Sequence, residues 1–386
     1  MINLDDGNIQ TYSMNYYDKM KGKGKLLNEY DLLDRTADNL LNGKKMIDFL
    51  GDTKAKFKSL VKELLISRID IIRKNYAEIN LYMMSAEFCQ SANSDMKVEL
   101  HNIKRGNLRE KARRHFIESR ISTEYGENTW LKNHWLNSSL SKVCKSDDEL
   151  KIFIQKFTEK FNKLNNFVKK IFFYDQLENV DKNLRHEILL QLDINVCPYC
   201  NRNYISKFKK NGELKSSADL DHFYNKDKFT LFSLSLYNFV PSCQICNSRL
   251  KGTKIKGIFH PYTQKIDYSD FCFKLMIEKD ADLSLFFGGN VEGLKINIVH
   301  NEKYKDHIET FQLDSLYNIH KNVAVEVLLK KQTYNQSYGH LMDKIFSDLN
   351  FNETQKNLFL YGVDLEQSNF HERPLSKFVF DLMDPL

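Results

Sequence analysis

Cys197 and Cys200 form one C-x-x-C pair, Cys243 and Cys246 form a second, and 42 residues separate the two. Two such pairs supply four thiolates, the tetrahedral ligand set of a zinc ion, and leave no position for water. The expected cofactor is therefore a structural Zn²⁺. Cys89, Cys144 and Cys272 stand alone and read as small buried apolar residues. Inside the cysteine frame lie Asp221-His222 and Asn238, and directly after Cys246 comes Asn247, followed by Ser248-Arg249-Leu250-Lys251-Gly252. Each of these polar residues alone is an ordinary surface or turn residue. Gathered in one frame they include a carboxylate, an imidazole and side-chain amides, a set suited to metal-assisted hydrolysis.

The order Asp-His, Asn, Asn, with intervals of 16 and 9 residues, resembles the HNH endonuclease motif of the ββα-metal fold. Within that family, the C-P-Y-C, D-H-F, L-Y-N and S-C-x-x-C-N-S-R-L-K-G elements look like the HNH effector subunit (PtuB) of Septu-type antiphage defence systems. The resemblance covers about residues 197 to 262. It implies a cytoplasmic metal-dependent endonuclease that hydrolyses DNA phosphodiester bonds. His222 is then the general base, since an imidazole with a free pKa of ~6.5 is neutral enough to take a proton at pH 7. Asp221 and the side-chain oxygen of Asn247 are the implied ligands of a catalytic Mg²⁺ or Mn²⁺. Asn238 braces the loop and orients the imidazole, and Arg249 and Lys251 are candidates for contacting substrate phosphate. A Septu-like subunit also implies an ABC- or SMC-like ATPase partner, because the sequence contains no G-x-x-x-x-G-K-[ST]. Two other readings stay open. One is a zinc-ribbon adaptor that binds nucleic acid or protein without catalysis, and the other is an HNH nuclease acting on RNA.

The elements that must position these residues are legible in part. Asn211-Gly212 predicts a tight hairpin between strands at 204–208 and 214–220, the second leading into Asp219-Leu220-Asp221-His222, with a short helix over 242–251. Adjacent strand residues point to opposite faces, so Asp221 and His222 are expected to approach a phosphate from different sides. Further on, strands are predicted at 271–278 and 294–299, then a long helical stretch from about Ser315 to Leu349 with Leu316, Ile319, Val323, Val327 and Leu328 on one face.

Residues 1 to about 190 read as mainly helical. The clearest helix starts at Ser146, an N-cap followed by Asp147, Asp148 and Glu149, and presents Leu150, Ile154, Phe157, Phe161, Leu164, Val168 and Ile171 on one face. Residues 104–120 carry seven Lys or Arg, among them Arg109, Arg113 and Arg114. On a helix they form either a phosphate-binding face or a merely solvated one.

The expected fold class is α+β, mostly α. A helical N-terminal region (1–190) binds a protein partner, nucleic acid or a second copy of the chain; an HNH core spans 191–265, and an α+β, mainly helical C-terminal region (266–386) packs on that core. Net charge is +6, and residues 197–262 hold 11 Lys and Arg against four Asp and Glu, so the basic excess is local to the cysteine frame. No apolar run reaches the ~20 residues that span a bilayer, and the polar start argues against secretion.

Overall fold

The computed structural model describes residues 1–23, 26, 30, 49–103, 106–123, 126–127, 140–278, 291–334 and 336–383. Helices dominate, and the strands among these residues pair into four two-stranded antiparallel sheets. None of the described helices is long and apolar enough to cross a membrane. The chain divides into two units. One comprises residues 10–184 and 224–238, the other residues 1–9, 185–223 and 239–386. The division differs from a cut near 190 and another near 265: the loop 224–238 belongs to the helical unit, and the C-terminal region shares a unit with the cysteine frame.

In the first unit the helices are α1 (Gly7–Lys23), α2 (Lys54–Ile66), α3 (Ile69–Asn75), α4 (Ala77–Leu100), α5 (Asn107–Ile121), α6 (Leu140–Val143), α7 (Asp147–Lys169) and α8 (Gln176–Val180), with short strands β1 (Ser122–Thr123) and β2 (Gly126–Glu127). Ser146 caps α7 by accepting from the Glu149 N–H at 3.1 Å, and the seven apolar residues of the expected stripe are all buried. Tyr82 on α4 packs 5.3 Å from Phe161 on α7, and Phe88 meets Phe157 edge-on at 5.0 Å.

The loop 224–238 is fastened into this helical core. Leu231 N–H donates to the Tyr82 hydroxyl at 3.3 Å, Ser233 donates to the Phe172 carbonyl at 2.9 Å, and Tyr16 donates to the Leu234 carbonyl at 2.7 Å.

The basic run 104–120 is only partly a surface feature. Lys104 and Arg105 lie outside the described residues. On α5, Arg109 and Arg113 both grip Asp147, at 2.6 and 2.8 Å, and Arg113 is buried and also donates to the Cys144 and Lys145 carbonyls. Arg120 is engaged by Asp95 and Glu99. Arg109 and Arg113 tie α5 to the start of α7 and Arg120 ties it to α4, so these three are structural and not a free phosphate-binding stripe. Arg113→Ala is expected to cost about 1–3 kcal/mol, read as a lower midpoint in denaturant. The Arg109 hydrogen bond holds the Asp147 carboxyl below its ordinary pKa. A carboxyl depressed in the folded state stabilises above its unfolded pKa, so this contribution is fully present near neutrality and is lost as pH falls through the lower folded value.

The second unit contains α9 (Leu184–Leu192), β3 (Lys207–Lys210), β4 (Glu213–Ser216), β5 (Asp219–His222), β6 (Phe239–Ser242) and a π-helix, Ile245–Lys251. Beyond these come β7 (Phe271–Ile277), β8 (Leu294–His300), α10 (Lys305–Thr310), α11 (Leu313–Tyr317), α12 (Lys321–Thr333), α13 (Gln336–Asp348), α14 (Glu353–Tyr361) and α15 (Ser376–Met383). Asn211 and Gly212 turn the β3–β4 hairpin with φ of 53° and 81°, the left-handed pair that a two-residue turn requires.

The second strand of that hairpin ends at Ser216. The Asp-His segment is a separate strand, β5, paired not with the hairpin but with β6, from Asp219 opposite Ser242 to His222 opposite Phe239. The helical stretch expected from about 315 to 349 forms as several consecutive helices. Asn318 turns its amide onto both backbone groups of Ile296 on β8, which breaks the helix into α11, a 3₁₀ turn at Asn318–His320, α12 and α13. Of the face expected for it only Val327 is fully buried, Ile319 is exposed, and Tyr317, Ala324 and Val325 fill the core instead.

Candidate functional site

The first cysteine pair sits on a tight knuckle. Asn201 N–H donates to the Cys197 carbonyl at 2.8 Å and Cys197 N–H to the Asn203 carbonyl at 3.0 Å, while Asn201 takes φ of 49°. Asparagine tolerates that left-handed position better than most residues. The knuckle rests on the C-terminal region: Asn201 donates to the Phe370 carbonyl and accepts from Lys377 N–H, Tyr317 donates to the Cys200 carbonyl at 2.7 Å, and His307 Nε2 bonds the Tyr199 carbonyl at 3.1 Å. His307 is fully buried, and burial lowers its pKa to about 3, so it is neutral, with Nδ1 accepting from Phe259 N–H.

The second pair follows β6, and Asn247 N–H donating to the Cys243 carbonyl starts the turn that carries Cys246. All four sulfurs are buried and lie within 4.8 Å of one another. Zinc at about 2.3 Å from each thiolate puts the sulfurs about 3.8 Å apart, so the cluster fits a tetrahedral ion. Asn203 donates to the Cys243 sulfur at 3.3 Å, and hydrogen bonds from the three other cysteines hold that thiol well below its ordinary pKa.

Strand β5 meets the π-helix, which also carries Cys246, through side-chain contacts. Asp219 and Asp221 are two apart and share a strand face. On the helix, Asn247 and Lys251 are four apart, just under one turn of an i→i+5 helix, and share the face that meets the strand. The two faces engage in register. Asn247 Nδ2 is 3.0 Å from Asp219 Oδ2, and Lys251 Nζ is 3.1 Å from Asp221 Oδ2 and donates to the His222 carbonyl at 3.0 Å. Tyr199 closes the set by donating its hydroxyl to Asp221 Oδ2 at 2.6 Å.

Sequence analysis placed Asp221 and Asn247 together on one metal. The structure brings each of them to a different partner. Asp221 is 4% exposed, and burial pushes its carboxyl up despite the ammonium beside it. Lys251, a candidate phosphate contact, is not exposed either. Its side chain is fully enclosed, its charge is spent on Asp221, and burial lowers its own pKa. Arg249 by contrast is exposed. His222 is half-buried, with its ring edge-on to Phe239 at 5.1 Å. Asn238 is fully buried in the loop, accepting from Tyr224 N–H at 2.7 Å and donating to the Tyr224 and Phe232 carbonyls. It thus fixes the backbone two residues after His222.

No family model, curated protein or solved structure matches this chain.

Asp219 and Tyr199 carry no role in the sequence motif. Asp219 could have been found from the two-residue strand period; nothing local marks Tyr199, whose ring reaches Asp221 only because the knuckle folds back. Because both members of the Asp221–Lys251 pair are enclosed, Lys251→Met should destabilise the fold by about 3–5 kcal/mol by stranding a buried carboxylate. Adding Asp221→Leu to that variant should restore most of the loss. Urea unfolding of both variants checks this.

Proposed function

We propose that this protein is a metal-dependent endonuclease of the HNH, ββα-metal type, and that its substrate is DNA. The observation that supports this reading most is the arrangement of β5, β6 and the π-helix. A strand carrying Asp219, Asp221 and His222 pairs with a second strand, and the following helix lays Asn247 against the first. The four cysteines tie the knuckle at Cys197 and Cys200 to the strand end and helix that carry Cys243 and Cys246.

A divalent cation, when bound among the oxygen ligands of this site, neutralises the charge that develops on a phosphodiester during hydrolysis. His222 takes the proton of the attacking water. Lys251 and Tyr199 hold Asp221, and Asn238 fixes the loop that leaves β5. Arg249, exposed near the helix end, contacts phosphate. The setting, antiphage defence with a separate ATPase partner, rests on the resemblance of the cysteine-frame motifs alone.

One observation favours a second reading, a non-catalytic zinc-ribbon adaptor: the carboxylate that the motif assigns to metal is already neutralised by Lys251. The deciding experiment incubates the purified, zinc-loaded full chain with supercoiled plasmid and Mg²⁺ or Mn²⁺. Nicking that appears only when Mg²⁺ or Mn²⁺ is added to the zinc-loaded chain is expected. DNA binding without any cleavage, across metals and pH, would establish the adaptor instead.

A further inference from the structure

We propose that Asp219 and Asn247 form the divalent-cation site, and that Asp221, the motif's expected ligand, is a positioning residue locked by Lys251 and Tyr199. The inference rests on the nuclease reading for its purpose, and on the geometry of β5 and the π-helix for its content.

The first argument is a distance. Asn247 Nδ2 and Asp219 Oδ2 are 3.0 Å apart. The two ends of a side-chain amide exchange by rotation, which places Asn247 Oδ1 in the same position. Mg²⁺ holds oxygen ligands at about 2.1 Å in an octahedron, so neighbouring ligands lie about 3.0 Å apart. Asn247 Oδ1 and Asp219 Oδ2 can therefore serve as neighbouring ligands of one cation without any backbone movement.

Room and charge point the same way. Mg²⁺ keeps several waters and needs solvent on one side. Asp219 is 28% exposed and Asn247 is half-buried, whereas Asp221 is enclosed. Both Asp221 oxygens are also taken, Oδ2 by Tyr199 and Lys251 and Oδ1 by Lys251 at 3.3 Å. A cation placed there would have to expel an ammonium and strand it in the interior, which costs more than the new bond returns. Asp219 faces Arg185, whose guanidinium is 4.0 Å from Oδ1, beyond hydrogen-bond reach. That charge opposes a bound cation without blocking its ligand atoms.

The test is Mn²⁺ binding to the zinc-loaded full chain, followed by the loss of the free-ion electron paramagnetic resonance signal. Asp219→Asn and Asn247→Ala should each raise Kd by more than about 10-fold, while Asp221→Asn stays close to the unsubstituted protein. Arg185→Ala should tighten binding. Zinc content and melting temperature report whether each variant folds. If Asp221→Asn does not fold, Asp221→Asn combined with Lys251→Met removes both charges and takes its place. Loss of Mn²⁺ binding on changing Asp221 but not Asp219 overturns the assignment, as does an unsubstituted protein that binds no better than Asp219→Asn. Plasmid cleavage is scored separately. Cleavage with Mn²⁺ bound through Asp221 would overturn this inference alone, and Mn²⁺ bound through Asp219 without cleavage would overturn the nuclease reading alone.

Discussion

Cys197→Ser or Cys243→Ser, or removal of metal by a strong chelator, is expected to unfold the unit that carries the site and to release one zinc per chain. The elements to be held are small. β5 and β6 are four residues each and the π-helix is seven, and an isolated two-stranded pair of that size is marginal in water. A structural zinc contributes about 10–16 kcal/mol in small metal-dependent folds, against a total stability of about 5–15 kcal/mol for a typical domain. A metal bound on that scale would rival the whole stability of the unit it holds. The loss should spread into the C-terminal region, because Tyr317, His307 and Lys377 all fasten to residues 199–201. Metal analysis, together with thermal melting before and after chelation, measures it. Cysteine variants that keep stoichiometric zinc and an unchanged melting temperature would show that the four sulfurs are not the ligands.

Features set by local chemistry were legible before any coordinates. Ser146 with three acids behind it, the Asn211-Gly212 turn and the two C-x-x-C pairs each need only neighbouring residues to act, and each forms where its sequence places it. What was misread depends on partners far away in the chain. β6 is Phe-Val-Pro-Ser, too short to announce itself and interrupted by a proline, which has no N–H to donate. It becomes a strand only because β5 returns to it across the 16 residues between Asp221-His222 and Phe239, and the helical unit holds the middle of that loop. Arg109 and Arg113 read as either a phosphate-binding face or a solvated one because Asp147, which neutralises both, lies more than 30 residues away. Lys251 looked like a surface cation for the same reason. Its partner Asp221 is 30 residues upstream, and only the wide π turn swings the ammonium inward.

His222→Ala is expected to lower plasmid cleavage by about 10²- to 10⁴-fold, with DNA affinity, zinc content and melting temperature nearly unchanged. The side chain is half-buried at the end of β5, where it packs on Phe239 by one edge. Its truncation removes a proton acceptor and a modest ring contact, not a core element. The backbone that the site needs at this position survives, since Lys251 binds the His222 carbonyl, which alanine also supplies. A base that must be neutral makes the rate rise with pH as it loses its proton, and in His222→Ala that limb should disappear. Added imidazole should recover part of the rate by occupying the space left and accepting the proton. Cleavage at the full rate in His222→Ala, or a rising limb that persists in it, would remove His222 from the reaction. The base would then be sought among the other groups on the face opposite Asp219 and Asp221. Loss of DNA affinity alongside the rate would instead make the ring a substrate contact, and that outcome is distinguishable because Arg249→Ala should weaken binding without moving the pH limb.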